Sequence, residues 1–328
     1  MFQEFINNLA RIERFDRAVS SRDVKIGEVE TPSGATQLAI QVPTGESLTL
    51  EPRARAQLLG QWQIPPQHFD RLPRQLQAAE LTHFARSQPK DLTVRAVHES
   101  AADGPAARAF LSGKYTAFDN TDVLHAIEPY LGSFEVQRPD IHRDEMVLVA
   151  TRPELHDVST RRVGDLVKVG LQIRNSEVGE MSVGVDFVLW RLACLDGLVS
   201  PQAEVSIRQR HIWIDRRAFV VQLRNAVANV AEIGEGMVRQ LRAAHDLALP
   251  NLDPEAGKLQ GEVVRMFKRE GVWTKEFQKA ATEALSSQEE ASLFGLVQFV
   301  TGAYAKQAGL AERISRERLA GRLMALAA

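Results

Sequence analysis

Cysteine is almost absent from the 328-residue chain, which contains Cys194 alone. A single cysteine cannot form a disulfide within the chain, so we expect a protein of the reducing cytoplasm of a bacterial cell. The apolar residues around Cys194, in L-W-R-L-A-C-L, favour a buried and unreactive thiol over a nucleophile.

Long apolar runs and a leader-like N-terminus are also missing. No apolar run approaches the roughly 20 residues that are needed to cross a bilayer, and we expect no membrane partner. The first residues, M-F-Q-E-F-I-N-N-L-A-R-I, do not match the pattern of a signal peptide. The formal net charge of -2 argues against a uniformly cationic nucleic-acid binder, but it does not exclude a local basic groove.

The sequence lacks several motifs of nucleotide-dependent enzymes and hydrolases. The P-loop pattern is missing, because Gly113-Lys114-Tyr115 has neither the earlier glycine nor the Ser or Thr hydroxyl that holds Mg²⁺. Neither G-x-G-x-x-G after a strand nor G-x-S-x-G occurs, and the eight histidines are scattered without H-E-x-x-H. We therefore predict no cofactor and no metal site, and we assign no catalytic residue.

The most regular pattern in the chain is two alternating runs between Val167 and Asp196, which flank a polar loop at 175–179. Strict alternation predicts two strands, each with one buried and one open face. The apolar set comprises Val167, Val169, Leu171 and Ile173 in the first strand, and Met181, Val183, Val185, Phe187 and Leu189 in the second. We predict that this hairpin, at 163–194, is the centre of an antiparallel sheet.

Closing the hairpin over a five-residue loop predicts a definite register. Arg174 then faces Glu180, Gln172 faces Ser182, Gly170 faces Gly184 and Lys168 faces Asp186. The opposite-charge pairs at the two ends each contribute roughly 0.2–1 kcal/mol. The two glycines in the middle have no side chains, so they predict a patch of accessible backbone on this face of the sheet. Either a helix of the same chain or a bound ligand is expected to approach this patch closely.

The remaining patterns place strands and helices in different parts of the chain, which predicts an α+β fold. Strands are expected over 23–29, 36–42, 92–96, 106–112, 133–137, 145–151 and 204–213. Helices are expected over 1–19, 51–59, 72–87 and 122–131, with Thr121 or Asn120 as the N-cap of the last. From residue 215 the pattern is helical to the end, so the C-terminal third is predicted to be helical.

These expectations divide the chain into three segments. Residues 1–50 are predicted to form an N-terminal helix and hairpin, residues 51–213 an α+β core domain, and residues 214–328 a helical region that packs on the core. The fold class is therefore α+β, with a central antiparallel sheet followed by a helical C-terminal third.

Two polar clusters accompany the loops of the predicted core. The first runs from Arg108 to Asp122 and includes Lys114 and Tyr115. It forms either an anion-binding turn or a strand–loop–helix junction with an Asp or Asn cap. The second is R-N-S-E at 174–177, which is either a simple turn or a functional loop.

A third cluster lies near the end of the predicted strands. Arg208 and Arg210 share one face of a strand, and His211 and Trp213 follow directly. Arginine forks beside aromatic rings suit single-stranded nucleic acid, in which bases stack and phosphates pair with cations. The alternative is a solvated face held by salt bridges.

Four segments together resemble a known family. They are R-A-F-L-S-G-K-Y-T-A-F-D-N-T-D-V-L, R-N-S-E-V-G, R-L-A-C-L-D-G-L and R-Q-R-H, in this order from residue 108. They are similar to the ordered motifs of the phage- and plasmid-related proteins known as domain of unknown function 932. Asp196 stands where that family usually has Asn. The family has no settled activity, and its setting in mobile elements implies a role in DNA metabolism.

Three hypotheses follow from these patterns and the resemblance. The first is a non-catalytic, homo-oligomeric protein of a phage or mobile element that binds single-stranded DNA for annealing or recombination. The second is an interaction factor that modulates a host protein through its helical third and N-terminal helix. The third is a metal-dependent nuclease built on Asp119, Asp122, Glu177 and His211. The nucleic-acid-binding residues expected under the first hypothesis are Arg108, Lys114, Tyr115, Arg174, Asn175, Arg191, Arg208, Arg210, His211 and Trp213.

Overall fold

The computed structural model describes residues 2–31, 34–98, 104–158, 165–192, 196–199, 207–287, 291–302 and 310–327. The helices are α1 (Phe2–Ala10), α2 (Pro52–Gln61), α3 (Pro66–Phe69), α4 (Arg74–Ser87), α5 (Asn120–Ile127), α6 (Arg216–Asp246), α7 (Lys258–Arg269), α8 (Lys275–Ser287), α9 (Leu293–Thr301) and α10 (Leu310–Met324). The strands are β1 (Glu13–Ser20), β2 (Lys25–Glu30), β3 (Thr36–Gln41), β4 (Ser47–Leu50), β5 (Asp91–His98), β6 (Ala106–Ser112), β7 (Glu135–Ile141), β8 (Glu145–Asp157), β9 (Leu166–Ser176), β10 (Val183–Arg191), β11 (Asp196–Val199) and β12 (Ile207–Gln209). The predicted α+β class is confirmed.

The first sheet gathers the strands of the N-terminal third in the order β1-β5-β6-β4-β3-β2. Its pairs are antiparallel except for β4 with β6, which are parallel. The predicted hairpin is confirmed as β2 and β3, with Glu30 opposite Thr36. Helices α2 and α4 pack on this sheet and bury Leu58 and Leu81 in a core of its own.

The second sheet has the order β11-β10-β9-β8-β7, and β12 pairs with the start of β10. All of these pairs are antiparallel. The predicted hairpin is present as β9 and β10 at the centre of this sheet. Its apolar side chains, such as Leu171 and Phe187, belong to the larger core that helices α5 to α10 complete.

The predicted register of the central hairpin is wrong. Arg174 pairs with Gly184 rather than with Glu180, and Gly170 pairs with Val188. The shift is four residues along β10, and because this number is even, every side chain keeps its predicted face. The cause lies in side-chain volume: a Cβ on Gly184 would lie 2.5 Å from Nη2 of Arg174, so the glycine provides the space that the guanidinium occupies.

The predicted glycine patch and open face are also corrected. The two glycines are not opposite each other, and a Cβ on Gly170 would lie 2.2 Å from the carbonyl oxygen of Ala150, so the adjacent strand β8 approaches it closely. Strands β9 and β10 are buried on both faces. On one face Gly234 of α6 contacts Val169. On the other face, α10 contacts the polar side chains through a hydrogen bond from Gln172 to Glu317 and an ion pair between Arg318 and Asp186.

Two predictions about helix boundaries are wrong. The predicted helix over 1–19 ends at Ala10, and residues 13–20 form β1 because they pair along the whole length of β5. The short helix α1 packs on α5 and buries Ile6 and Leu9. The N-cap of α5 is Asp119, which forms a capping box with Asp122, rather than Thr121 or Asn120.

The sheets group the chain differently from the predicted segments at 1–50, 51–213 and 214–328. Residues 13–112 supply the first sheet, whereas β7 to β12 and the C-terminal helices share the larger core. The helical third is present, and its long helix α6 buries Leu223, Val230 and Leu241 at the predicted spacing. No helix among the described residues is long and apolar enough to cross a membrane. Cys194, and the predicted strand residues before Ile207, lie outside the described residues.

Candidate nucleic-acid interface

A buried polar junction connects the two sheets, and its centre is Glu177, in the loop between β9 and β10. Oε2 of Glu177 accepts hydrogen bonds from Nη2 of Arg108 at 2.7 Å and from Nε of Arg14 at 2.9 Å. Oε1 accepts one from the backbone N–H of Asn120 at 2.8 Å. A fully buried carboxylate is stable only with such partners, so this loop is structurally tied to β1, β6 and α5.

Arg95 forms the second half of the junction. It donates to Asp16 at 3.0 Å, to Asp119 at 2.7 Å and to the hydroxyl of Tyr115 at 2.8 Å. The Tyr115 hydroxyl in turn donates to the Glu177 carbonyl at 3.2 Å. Burial raises the pKa of Tyr115 to about 12, against the lowering effect of Arg95. The phenol is therefore neutral, and the network holds its ring in one position.

The segment 207–213 lies across the same region and connects the two sheets. At one end, Arg208 of β12 pairs with Gly184 of β10. At the other end, Ile212 forms an antiparallel bridge with Tyr115, and the backbone N–H of Thr116 donates to the carbonyl of His211 at 2.8 Å. The rings of Tyr115 and His211 stack with centroids 5.4 Å apart and planes 18° apart.

A pocket of about 540 Å³ opens where this segment meets the β9–β10 loop. Its lining consists of Leu111, Ser112, Tyr115, Gly179, Glu180, Met181, Ser182, Arg208, Arg210, His211 and Ile212. Pockets of roughly 300–1,000 Å³ are typical of small-molecule sites in proteins. Both the first and the third predicted clusters contribute to it, so residues that are distant in the sequence meet at one place.

A group of residues at and beside this pocket is called the rim: Lys114, Tyr115, Arg208, Arg210 and Trp213. Tyr115, Arg208 and Arg210 line the pocket, and Lys114 and Trp213 are the chain neighbours of the bridged residues Tyr115 and Ile212. Lys114 and Arg210 are exposed, and neither forms an ion pair with any described residue. Arg208 lies 3.6 Å from Asp186 and is half-exposed. Trp213 is 76 % exposed and has a φ of +54°, which is rare for a bulky residue. The rim combines free positive charge with an accessible indole.

The other predicted binding residues lie inside the protein. Arg108 pairs with Glu177 and Asp144, Arg174 pairs with Asp186, and Arg191 pairs with Asp165 at 3.0 Å. The Asn175 amide donates to the Phe118 carbonyl and to Asn120. Burial lowers the pKa of Arg174 to about 10, although Asp186 opposes this effect. These four side chains are buried and have internal partners, so the proposed surface does not include them.

Sequence reasoning missed several residues of this region. Arg95 donates a hydrogen bond to the hydroxyl of Tyr115, and Leu111 and Met181 line the pocket. A charged residue within the apolar run L-T-V-R-A-V at 92–97 is a signal for Arg95, because a buried arginine requires a carboxylate partner. The wall residues carry no such signal, since apolar side chains of this kind occur throughout the core.

The carboxylates proposed for a nuclease have structural roles in the fold. Asp119 and Asp122 cap α5, Asp119 also pairs with Arg95, and Glu177 is enclosed by its arginines. Within the described ranges, no group of three or more His, Cys, Asp or Glu side chains is placed to hold a metal ion.

Comparisons with known proteins identify no relative of this chain. A scan against protein-family models, a search of curated proteins and a search of solved structures each returned no match to this chain.

Proposed function

We propose that this protein binds single-stranded nucleic acid through the rim. The observation that carries the proposal is Trp213, which exposes a large apolar ring in a left-handed backbone conformation. Exposure of an indole and a positive φ both cost free energy, and such costs concentrate at functional sites. An exposed indole among cations is the arrangement that stacks on a base while phosphates pair with the neighbouring charges.

The charge distribution supports this surface. The whole chain has a net charge of -2, so attraction to a polyanion has to be local. Lys114 and Arg210 supply free cations on opposite sides of the Tyr115–Ile212 bridge. The nearest lining carboxylate, Glu180, lies 3.4 Å from Arg53, which offsets its charge.

The biological setting is part of the proposal. The resemblance to domain of unknown function 932 supports a phage or mobile-element protein that acts on DNA in the cytoplasm of a bacterial cell. Annealing and recombination-mediator proteins act as oligomers, and we propose a homo-oligomer that assembles on single-stranded DNA. Mass photometry with and without a single-stranded oligonucleotide tests assembly. We expect larger species only when DNA is present, and an unchanged monomer contradicts this part of the proposal.

Salt-dependent binding tests the cationic part of the rim. Phosphate contacts release counterions, and each contributes about 0.7 to the slope of log affinity against log salt for a single strand. We expect Lys114→Ala/Arg210→Ala to reduce this slope by about 1.4 in fluorescence anisotropy titrations. The matched control is Arg71→Ala/Lys25→Ala, which removes the same charge from exposed positions elsewhere. Equal slopes for the two double variants, or binding without a salt slope, exclude the rim.

The aromatic part of the rim is tested by Trp213→Ala. Stacking of one base on an aromatic ring contributes about 1–3 kcal/mol, so affinity for an oligonucleotide is expected to fall about 5- to 150-fold. Leu76→Ala is the control, because Leu76 is also a large exposed apolar residue, on α4. An affinity that is insensitive to Trp213→Ala contradicts stacking.

A protein partner is the alternative outcome of these experiments. The N-terminal helix, which the interaction hypothesis needs as a free surface, packs on α5 with Ile6 and Leu9 buried. A protein partner would therefore have to bind the helical third or the exposed side chains of Ile212 and Trp213. Capture of a host protein that survives nuclease treatment, combined with the absence of oligonucleotide binding, favours this alternative.

A further inference from the structure

The floor of the pocket contains a buried histidine whose ring lacks well-formed hydrogen bonds. His211 is 5 % exposed, and neither Nδ1 nor Nε2 meets ordinary hydrogen-bond geometry with a described residue, although the Thr116 backbone acts on its pKa as a hydrogen-bond partner does. An unsatisfied buried polar group costs about 1–3 kcal/mol, and native structures contain few of them. Because His211 lines the pocket, a ligand in the pocket is positioned to supply the missing partners.

The protonation state of His211 decides which ligand it suits. Burial lowers its pKa, and Arg95 acts in the same direction, while the Thr116 backbone, Asp119 and Glu177 oppose the shift. The imidazole is therefore neutral at neutral pH. A neutral imidazole has one N–H donor and one nitrogen acceptor. A nucleobase edge also combines donors and acceptors, whereas a phosphate supplies acceptors for the most part.

The walls of the pocket complement the two ends of a nucleotide. Leu111, Met181 and Ile212 provide apolar surface for a planar base. Arg208 and Arg210 also line the pocket and are exposed to solvent, where a phosphate attached to that base can pair with them.

We propose that the pocket receives one unstacked base of the bound strand, with its phosphate between Arg208 and Arg210 and its hydrogen-bonding edge on His211. This inference rests on the proposed function and extends it from a stacking surface to a pocket that selects a nucleotide. Withdrawal of a base into a pocket is least costly for a single strand, in which no base pair has to be broken.

The junction prepares His211 for this role. Its ring stacks on Tyr115, and the hydroxyl of Tyr115 is held by Arg95 and by the Glu177 carbonyl. The His211 carbonyl is fixed by Thr116. A side chain whose orientation is set before the ligand arrives loses less conformational entropy on binding. Tyr115 and Arg95 are therefore positioning residues.

Calorimetric titration of the full chain with separate parts of a nucleotide tests the pocket. The ligands are the four deoxynucleoside 5′-monophosphates, deoxyribose 5-phosphate and inorganic phosphate. We expect the complete nucleotides to bind about tenfold more tightly than deoxyribose 5-phosphate, because only they satisfy the buried imidazole. In NMR spectra, the ring resonances of His211 are expected to shift with the nucleotides alone.

Three variants assign the effect to His211. His211→Phe keeps a ring on Tyr115 but removes both nitrogens, and it is expected to abolish the advantage of nucleotides over deoxyribose 5-phosphate. His211→Gln retains a donor and an acceptor, and it is expected to keep part of the advantage. His83→Phe is the control, since His83 is exposed on α4. If His211→Phe does not fold, Met181→Trp fills the pocket from its wall and is expected to give the same loss.

The two proposals fail in different ways. If oligonucleotides bind with a salt slope but nucleotides and deoxyribose 5-phosphate bind equally, the pocket inference is overturned and the rim proposal stands. The same holds if a folded His211→Phe variant keeps the full advantage. If nucleotides bind in a His211-dependent way but oligonucleotides do not bind, the strand-binding proposal fails and the pocket remains a nucleotide site.

Discussion

Arg108 and Arg210 belong to neighbouring arginine-rich regions that differ in their relation to solvent. Arg108 lies in the junction, fully buried between the carboxylates of Glu177 and Asp144. Arg210 lies on the rim, exposed and without an ion pair to a described residue. Tyr115 belongs to both regions, because its hydroxyl enters the junction and its ring lines the pocket.

The difference shows that the same residue type stands in two environments. In the junction, the charges of Arg95, Arg108 and Glu177 are removed from water and need opposite charges nearby, so these arginines serve the fold. On the rim, the cations keep their hydration and stay available for an external anion. Variants in the junction are therefore expected to change stability, and variants on the rim are expected to change binding.

The largest effect is expected from Glu177→Ala. This substitution leaves the guanidinium groups of Arg14 and Arg108 with one carboxylate fewer in a buried site, which costs about 3–5 kcal/mol of unfolding free energy. Urea denaturation measures the change. Glu180→Ala is the control, because Glu180 is 48 % exposed and its loss is expected to cost no more than about 0.5 kcal/mol. Similar losses for the two variants contradict the division between junction and rim.

A smaller loss is expected from Gly170→Ala, at the centre of the second sheet. The new methyl group meets the Ala150 carbonyl oxygen at 2.2 Å, and the strand backbone has little room to move. Overpacking of this kind costs about 1–3 kcal/mol. Gly27→Ala is the matched control, because it also adds a methyl group to a strand but meets nothing within 4 Å. Equal melting temperatures for both variants exclude the close approach of β8.

A third effect depends on pH and concerns His211, where junction and rim meet. Its pKa in the folded protein is below the ordinary value of 6.5, chiefly because it is buried. The unfolded chain therefore binds the proton first as the pH falls below 6.5, and stability decreases. We expect His211→Phe to flatten the dependence of unfolding free energy on pH in this range. An unchanged profile, with His83→Phe as reference, contradicts a neutral buried imidazole.

The smallest effect on stability is expected from Trp213→Gly. The indole is exposed, and glycine adopts the positive φ of this position without strain. Relief of the positive φ stabilises the fold, whereas the greater freedom of glycine in the unfolded chain destabilises it by a similar amount, so the unfolding free energy is expected to change by no more than about 1 kcal/mol. Trp190 is buried in the second sheet, and Trp190→Ala is expected to cost about 3–5 kcal/mol. A large loss for Trp213→Gly would show that the exposed indole serves the fold.

Local patterns predicted most of the elements but not all of them. The alternation at 167–189 predicted the central hairpin, and the apolar spacing after residue 215 predicted the long helix α6. Residues 13–20 were missed as a strand because their pairing partner is β5, far away in the sequence. The predicted register was wrong because Gly184 accommodates the guanidinium of Arg174. Alternation of apolar and polar residues gives no information on this requirement for side-chain volume.

The candidate site was predicted in part. The R-x-R-H segment and the G-K-Y segment were both recognised, and the structure brings them together at one pocket. The sequence did not separate exposed arginines from buried ones, since Arg108, Arg174 and Arg191 have the same side chain as Arg208 and Arg210. The walls of the pocket were not predicted, because apolar residues such as Leu111 are common in every strand.

The sequence by itself determined the segments and their polarity: which stretches are helical, which alternate, and where apolar faces lie. These properties depend on neighbours within a few residues, so they can be read from spacing. The tertiary structure decided which charges are buried and which are free. Glu177 binds Arg108 and Arg14, which are 69 and 163 residues away in the chain. Rules based on neighbouring residues do not predict pairs so far apart in the sequence. The same folding leaves Arg210 and Trp213 exposed to solvent, and Arg210 has no ion pair with a described residue.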